Sequence, residues 1–364
     1  MQMRRGGLTV SRIGGIPIIL GYTWILLAAL IVVIYAPVVD QLVPDLPTVM
    51  LFVVSALFAL TLLLSVLLHE MGHAVAARYL GIKVRSITLD GLGGFTETER
   101  EAPTPATATL VALAGPAVSA ALGVVGVIGL AVLPGQTIGW TVALHIAIAN
   151  LLVTLYNLLP GLPLDGGRAF HALLWKISNN KDSSYVIAGY TGRAIALATV
   201  GIGMYLYAAE WLSWIGLIVL AIVGLDLWFG ATNAIKGGRM GVKLRHLSAR
   251  RLAGTFSTID AATSLQEALD QFPAETWMLV LTDTRPTGIL NRDAVAAVPA
   301  SRREVLIAET MQRSLEHYPR LDIDLEGREL ITAMRQSEST MYLVIDGHAL
   351  VGYLRADDVV SLLT

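Results

Sequence analysis

Ser65-Val66-Leu67-Leu68-His69-Glu70-Met71-Gly72-His73-Ala74 lies inside an apolar run that extends over residues 49–80. On a helix, residues four apart share a face, so the imidazoles of His69 and His73 can reach one metal ion. Glu70 points to the side and can take a proton from a water that the metal has acidified. The pattern alone is of moderate specificity. Its place in a long apolar helix raises that, because ionisable groups at bilayer depth are costly and mark function. A merely structural pair of histidines would leave Glu70 unexplained. A span beginning at Val49 places His69 about 30 Å along the helix, near the opposite edge of the bilayer.

The rest of the chain supports a membrane setting. It has 364 residues, 54% hydrophobic and 15% charged, with mean hydropathy +0.63, too apolar for an ordinary soluble protein. The net charge of −2 averages two unlike halves. Besides 49–80, runs at 16–36, 107–133, 138–158, 188–209 and 211–234 are each close to the ~20 residues a span needs. The run at 16–36 is longer than the ~7–15 apolar residues of a signal peptide, so it reads as a span. There is no cysteine. Disulfides, thiolate metal sites and cysteine nucleophiles are excluded, and any metal must be held by His and carboxylates.

Basic residues set the orientation. Arg4, Arg5 and Arg12 precede the first run; Arg78, Lys83 and Arg85 follow the second; Arg168, Lys176 and Lys181 follow the fourth; Lys236, Arg239, Lys243 and Arg245 follow the sixth. The alternate connections carry no basic residue. Six spans with both termini in the cytosol fit this pattern, in the cell membrane.

From about Lys236 onward charges are frequent, and a weak repeat appears. Trp277-Met-Leu-Val-Leu-Thr-Asp with Gly288-Ile-Leu-Asn-Arg-Asp answers to Met341-Tyr-Leu-Val-Ile-Asp with Gly352-Tyr-Leu-Arg-Ala-Asp. Each copy reads as helix, strand, turn, strand, helix, and two such units pack as one α/β module because neither buries its face alone. The expected organisation is a membrane domain over 1–235, a linker over 236–248, and repeats over 249–301 and 302–364.

Two histidines leave a catalytic zinc site one protein ligand short. The best candidate is Asp165, in Asn157-Leu-Leu-Pro160-Gly161-Leu-Pro163-Leu-Asp165-Gly-Gly-Arg168. Broken backbone at membrane depth is tolerated where it is buried or lines a cavity. The residues alone leave a second reading open, a turn with a helix-capping aspartate.

The histidine motif on a membrane helix, followed by Asn-x-x-Pro-x-x-Pro-Leu-Asp-Gly-Gly, closely resembles the site-2 protease family of intramembrane metalloproteases (peptidase family M50). The resemblance covers at least residues 49–178. It implies that His69, His73 and Asp165 bind zinc and that Glu70 is the general base. It also implies that Asn157 holds substrate or steadies the developing oxyanion near the scissile bond. The substrate would be a membrane-spanning protein cut in regulated signalling. Leu113-Ala-Gly115-Pro116-Ala also matches the family; Gly115, Ser119 and Gly123 read as small residues that let helices approach. The tail resembles a pair of cystathionine β-synthase (CBS) domains. Nucleotide-binding versions carry Ser or Thr three residues after the glycine and Asp six after it. Here the second copy has Arg355 and Asp358, and the first has Asn291 and Ala294. That departure favours a dimerising or regulatory module, with a homodimer through it as the expected assembly, over an adenine nucleotide site.

Residues 82–99 read as a small β-hairpin after the second span, with a phase slip near Ser86 and a turn at Asp90-Gly91-Leu-Gly93-Gly94. In similar proteases this loop forms a small sheet beside the active site, and a locally extended substrate could add to it as a strand. His145 is expected to be a packed, hydrogen-bonded histidine, and Arg193 and Asp226 a structural ion pair. His246, His317 and His348 are expected at the surface.

The reading is therefore an α-helical polytopic membrane protein with a C-terminal tandem CBS module, acting as an intramembrane zinc protease. No nucleic-acid partner is expected. The alternative is a CBS-gated metal or ion transporter, and a silent membrane scaffold is a third reading. Glu70 separates them, because a transporter needs ligands and no general base.

Overall fold

The structure is a computed structural model that describes residues 7–91, 93–272 and 277–363. Arg4, Arg5 and Leu92 lie outside the described residues. The chain forms two compact units, Met1–Arg239 and Met240–Thr364.

In the first unit the helices are α1 (Tyr22–Leu42), α2 (Thr48–Tyr79), α3 (Pro105–Val132), α4 (Ile138–Asn157), α5 (Asp165–Ser178), α6 (Lys181–Ala208) and α7 (Trp214–Arg245). All but α5 are long and apolar enough to cross a membrane, giving the expected six spans. Thr104, Thr137 and Asn180 each accept a hydrogen bond from the backbone N–H three residues on, and so start α3, α4 and α6. That cap explains why α6 begins at Lys181, two turns ahead of the apolar stretch expected from residue 188. The final helix begins at Trp214, three residues later than expected, and runs without a break to Arg245.

The first span differs from expectation at its start. Residues 16–21 are a strand, β2 (Ile16–Gly21), paired with β1 (Gly7–Ile13), and the helix begins only at Tyr22. Gly14 and Gly15 make the turn at φ +56° and +84°, a conformation that glycine adopts without strain. Ile16 and Ile18 are buried and the intervening Pro17 is less so, the period-two pattern of a strand. The hairpin after α2 is likewise larger than expected. β3 (Val84–Asp90) and β4 (Gly93–Thr98) join the N-terminal pair in one four-stranded sheet, ordered β1-β2-β3-β4, with β2 and β3 parallel. The phase slip near Ser86 is a bulge between Val84 and Ser86. Ile16, Ile18, Ile87 and Leu89 pack on Ala74 of α2, with Leu67 and Met71 around them. The sheet therefore rests on the turn of α2 that carries His69 to His73.

The expected Arg193–Asp226 pair does not form. Arg193 donates to Thr232 Oγ1 at 3.0 Å and lies 4.8 Å over the Trp228 ring. A hydroxyl and an aromatic face solvate the guanidinium in place of a carboxylate. His145 packs against Tyr35 and Phe58, with ring centroids 4.4 and 4.2 Å away, and bonds through Nδ1 to the Thr141 carbonyl.

Residues 158–164 link α4 to α5 and are pinned to α6. The Leu162 N–H donates to the Ala188 carbonyl at 3.0 Å. A Cβ on Gly192 would collide with the Leu162 carbonyl, so the loop and α6 touch backbone to backbone there.

The second unit holds the tandem repeat. The first copy is a strand Ser257–Asp260, a helix Leu265–Gln271, a hairpin Trp277–Thr282 with Arg285–Asn291, and a helix Arg292–Ala296. The second is Arg320–Asp322, Gly327–Ser337, Met341–Asp346 with Ala349–Arg355, and Ala356–Leu363. Each sheet has a parallel and an antiparallel neighbour around its central strand. Leu279 and Ile289 of one copy and Met341 and Leu343 of the other share one buried cluster. His246, His317 and His348 are exposed.

Gly192→Ala should lower the apparent melting temperature in detergent by about 3–10 °C through overpacking. Gly201→Ala, on the same helix, should leave it unchanged or slightly higher, because nothing lies within 4 Å of that added carbon. Differential scanning fluorimetry on the two variants checks this.

Candidate metal centre

α2 presents His69 and His73 from one face, and both are buried. Their Nε2 atoms are 3.2 Å apart. The loop 158–164 breaks the helical path after α4 and returns the chain as α5, whose first residue is Asp165. Asp165 Oδ2 lies 3.1 Å from each Nε2. Three residues from two distant segments thus converge on one point.

The far side of each imidazole is also held. His73 Nδ1 is 2.7 Å from the Val111 carbonyl, which can only accept, so Nδ1 carries the proton and donates. The His73 Nε2 lone pair then faces Asp165. His69 Nδ1 is 2.9 Å from Ser119 Oγ. Both partners come from α3, which approaches closely because residue 115 is glycine; a Cβ there would meet the Nε2 atoms of both histidines. Gly115 lets the helices approach as expected, here against the imidazoles, and Gly123 packs against Leu151; Ser119, expected only to pack, bonds His69.

Asp165 is buried with Arg168 as its cationic neighbour, which favours the charged form of its carboxylate. Arg168 Nη1 is 3.7 Å from Asp165 Oδ1. Glu70 reaches the same centre, since one ligand atom from each of His69, Glu70 and His73 falls within a 4.8 Å group. Glu70 Oε2 accepts from Thr96 Oγ1 at 2.8 Å, and the same hydroxyl bonds the Glu70 backbone carbonyl at 3.1 Å. Asn157 is the last residue of α4 and is half-buried. Its side chain makes no hydrogen bond with another described residue.

The His73 Nε2 lone pair and the carboxylate oxygen it faces repel unless a cation lies between them. Donor separations of 3.1–3.2 Å match two nitrogens and an oxygen held at about 2.0–2.2 Å around a tetrahedral zinc. Oxygen partners on the outer imidazole nitrogens are the usual support of such ligands. The donor set fits zinc.

Comparison with known proteins agrees with the geometry. The model of peptidase family M50 matches residues 57–144 and 136–199. Over those residues the membrane unit matches peptidase family M50. A protein of Synechocystis described as putative zinc metalloprotease sll0528 is 27% identical over 382 residues, covering 100% of this chain and 97% of that protein. Putative zinc metalloprotease Rip3 of Mycobacterium tuberculosis is 36% identical over 228 residues, 62% of this chain and 57% of Rip3. The solved site-2 protease of Methanocaldococcus jannaschii is 27% identical, covering 63% of this chain and 95% of that one, with a TM-score of 0.43. The CBS domain of a bacterial CNNM/CorC family Mg2+ transporter is 11% identical, covering 34% of this chain and 92% of that one, with a TM-score of 0.28. The chain is a multi-pass membrane zinc metalloprotease.

Sequence reasoning missed Thr96 and the Val111 carbonyl. Nothing in the sequence marks a carbonyl, but Ser119 was findable: it is a polar residue four after Gly115, on the same helical face.

Gly115→Val should abolish zinc binding, because the added side chain occupies the space of both Nε2 atoms. Ser119→Ala should weaken it by about 10–100-fold, the usual effect of losing a supporting hydrogen bond. Chelator competition followed by elemental analysis reads both.

Proposed function

We propose that this chain cuts a peptide bond in or near the transmembrane segment of a membrane-protein substrate. The observation that carries the reading is the convergence of His69 Nε2, His73 Nε2 and Asp165 Oδ2 within 3.2 Å on helices set among bilayer spans. His69, His73 and Asp165 would hold the zinc. When bound, zinc supplies a Lewis acid that acidifies water and polarises the scissile carbonyl.

Glu70 acts as the general base. Thr96 occupies one carboxylate oxygen and fixes the rotamer, which leaves the other oxygen to receive the proton from water and later pass it to the departing amine. Asp165, rather than Glu70, is the third ligand, because its oxygen contacts both Nε2 atoms and Glu70 is engaged by Thr96. Asn157 is assigned to holding substrate or steadying the oxyanion; its amide has no competing partner among the described residues.

A helix hides its peptide bonds, so the substrate must be extended before attack. β4 is the last strand of the sheet, and its Thr96 holds the base. A substrate strand added along β4 would lie beside Glu70, with backbone hydrogen bonds supplying sequence-tolerant affinity. The alternation of basic connections supports both termini being cytoplasmic, and the plasma membrane is the assigned location. The CBS pair is assigned a regulatory or dimerising role, adenine nucleotide being a secondary candidate ligand, and the setting is regulated signalling.

Glu70→Gln should reduce cleavage of a tagged single-span substrate in liposomes by about 10²–10⁴-fold while zinc content stays equal to wild type. Equal cleavage by the two proteins would sink the mechanism.

A further inference from the structure

A cavity of about 360 Å³ opens against His73 and is lined also by Thr96, Arg100, Arg168, His171 and Lys181. The mechanism above leaves it unused. Its charge is lopsided, since Glu101 is the one acid among the lining residues. Lys181 is already matched: its Nζ is 2.5 Å from Glu101 Oε2 and 4.9 Å over the Trp175 ring.

The two guanidiniums are different. Each has five N–H donors in a planar fork. Arg100 gives one Nη2 hydrogen bond to the Gly81 carbonyl at 2.9 Å. Arg168 stands 3.7 Å from Asp165, beyond hydrogen-bond length. Both side chains retain donors beside one cavity, one turn of α5 from Asp165. Membrane orientation needs basic residues somewhere in these connections. It does not need them to converge on a cavity that reaches the metal ligands.

We propose that this cavity binds a carboxylate of the substrate chain next to the scissile bond, held by Arg100 and Arg168. The proposal rests on the protease reading and gives it a specificity. A carboxylate accepts two parallel N–H bonds from a guanidinium, a match that an amide or an ammonium cannot make. The carboxylate has two sources. One is an acidic side chain near the cleaved bond on the basic-loop side of the span. The other is the new C-terminus that hydrolysis creates, whose capture would slow product release. Membrane spans in general carry basic residues on the cytosolic side, so an acidic one there would stand out.

The test uses the full chain in nanodiscs and labelled single-span peptides of one sequence. One set carries Asp, Asn or Lys at each of the last positions of the span on the basic-loop side. A second set ends there, as the free acid or the amide. Fluorescence anisotropy should give about tenfold tighter binding for Asp over Asn, or for acid over amide, the value of one charge-assisted hydrogen bond. Which set responds identifies the source. Arg100→Gln and Arg168→Gln should each reduce the preference, and Arg100→Lys, which keeps the charge and loses the fork, should keep only part of it, with zinc content unchanged in the Arg100 variants. Equal affinity across both sets, or a preference that survives in the double glutamine variant, overturns the proposal. Cleavage of the same peptides is read in parallel. A charge preference without cleavage would keep this site and remove the protease reading, and cleavage without preference would do the reverse.

Discussion

An anionic carboxylate held against two imidazoles, among helices built for hydrocarbon, is the constraint to which the rest of the membrane unit answers. Ionisable groups at that depth are costly unless partnered. Each surrounding element supplies part of the partnership. α2 sets two imidazoles on one face. α3 must come close enough for Val111 and Ser119 to hold their outer nitrogens, and Gly115 permits that. The helical path after α4 must break so that Asp165 can return, and residues 158–164 do this with their backbone pressed on α6 at Gly192. Irregular backbone at such a position is tolerable because it is covered by protein.

Legibility followed the range of each interaction. His69, Glu70 and His73 are local, so spacing alone assigned them a shared centre. Asp165 is 92 residues beyond His73, and only the family resemblance lifted it above a capping turn. Thr96 could not be read, because its contact with Glu70 depends on where a sheet docks. The strand at Ile16–Gly21 was absorbed into the following helix because six apolar residues directly ahead of an apolar span look continuous with it. Pro17 and the Gly14-Gly15 turn were the local signals against that. The Arg193–Asp226 pair failed for another reason: sequence registers opposite charges in adjacent spans, yet a hydroxyl and an indole can solvate a guanidinium as well.

The tail was legible because a repeat is a property of sequence. The strand starts Trp277 and Met341, and the helix starts Arg292 and Ala356, keep the 64-residue offset seen in the two glycines. The two copies have diverged where ligand chemistry would reside. Asn291 accepts from the N–H groups of Asp293 and Ala294 and so caps its own helix. Its equivalent Arg355 pairs with Asp357 at 3.5 Å. Polar groups at these positions are occupied in local structure.

The parallel pairing of β2 with β3 has a mechanical consequence. The first strands of the chain are stitched to the strand beside the one that steadies the base, and α1 leaves directly from Gly21 at the end of β2. The amino-terminal hairpin that leads into α1 and the strand whose Thr96 holds Glu70 are thus parts of one continuous hydrogen-bonded sheet, so the base and the first span share a single rigid support.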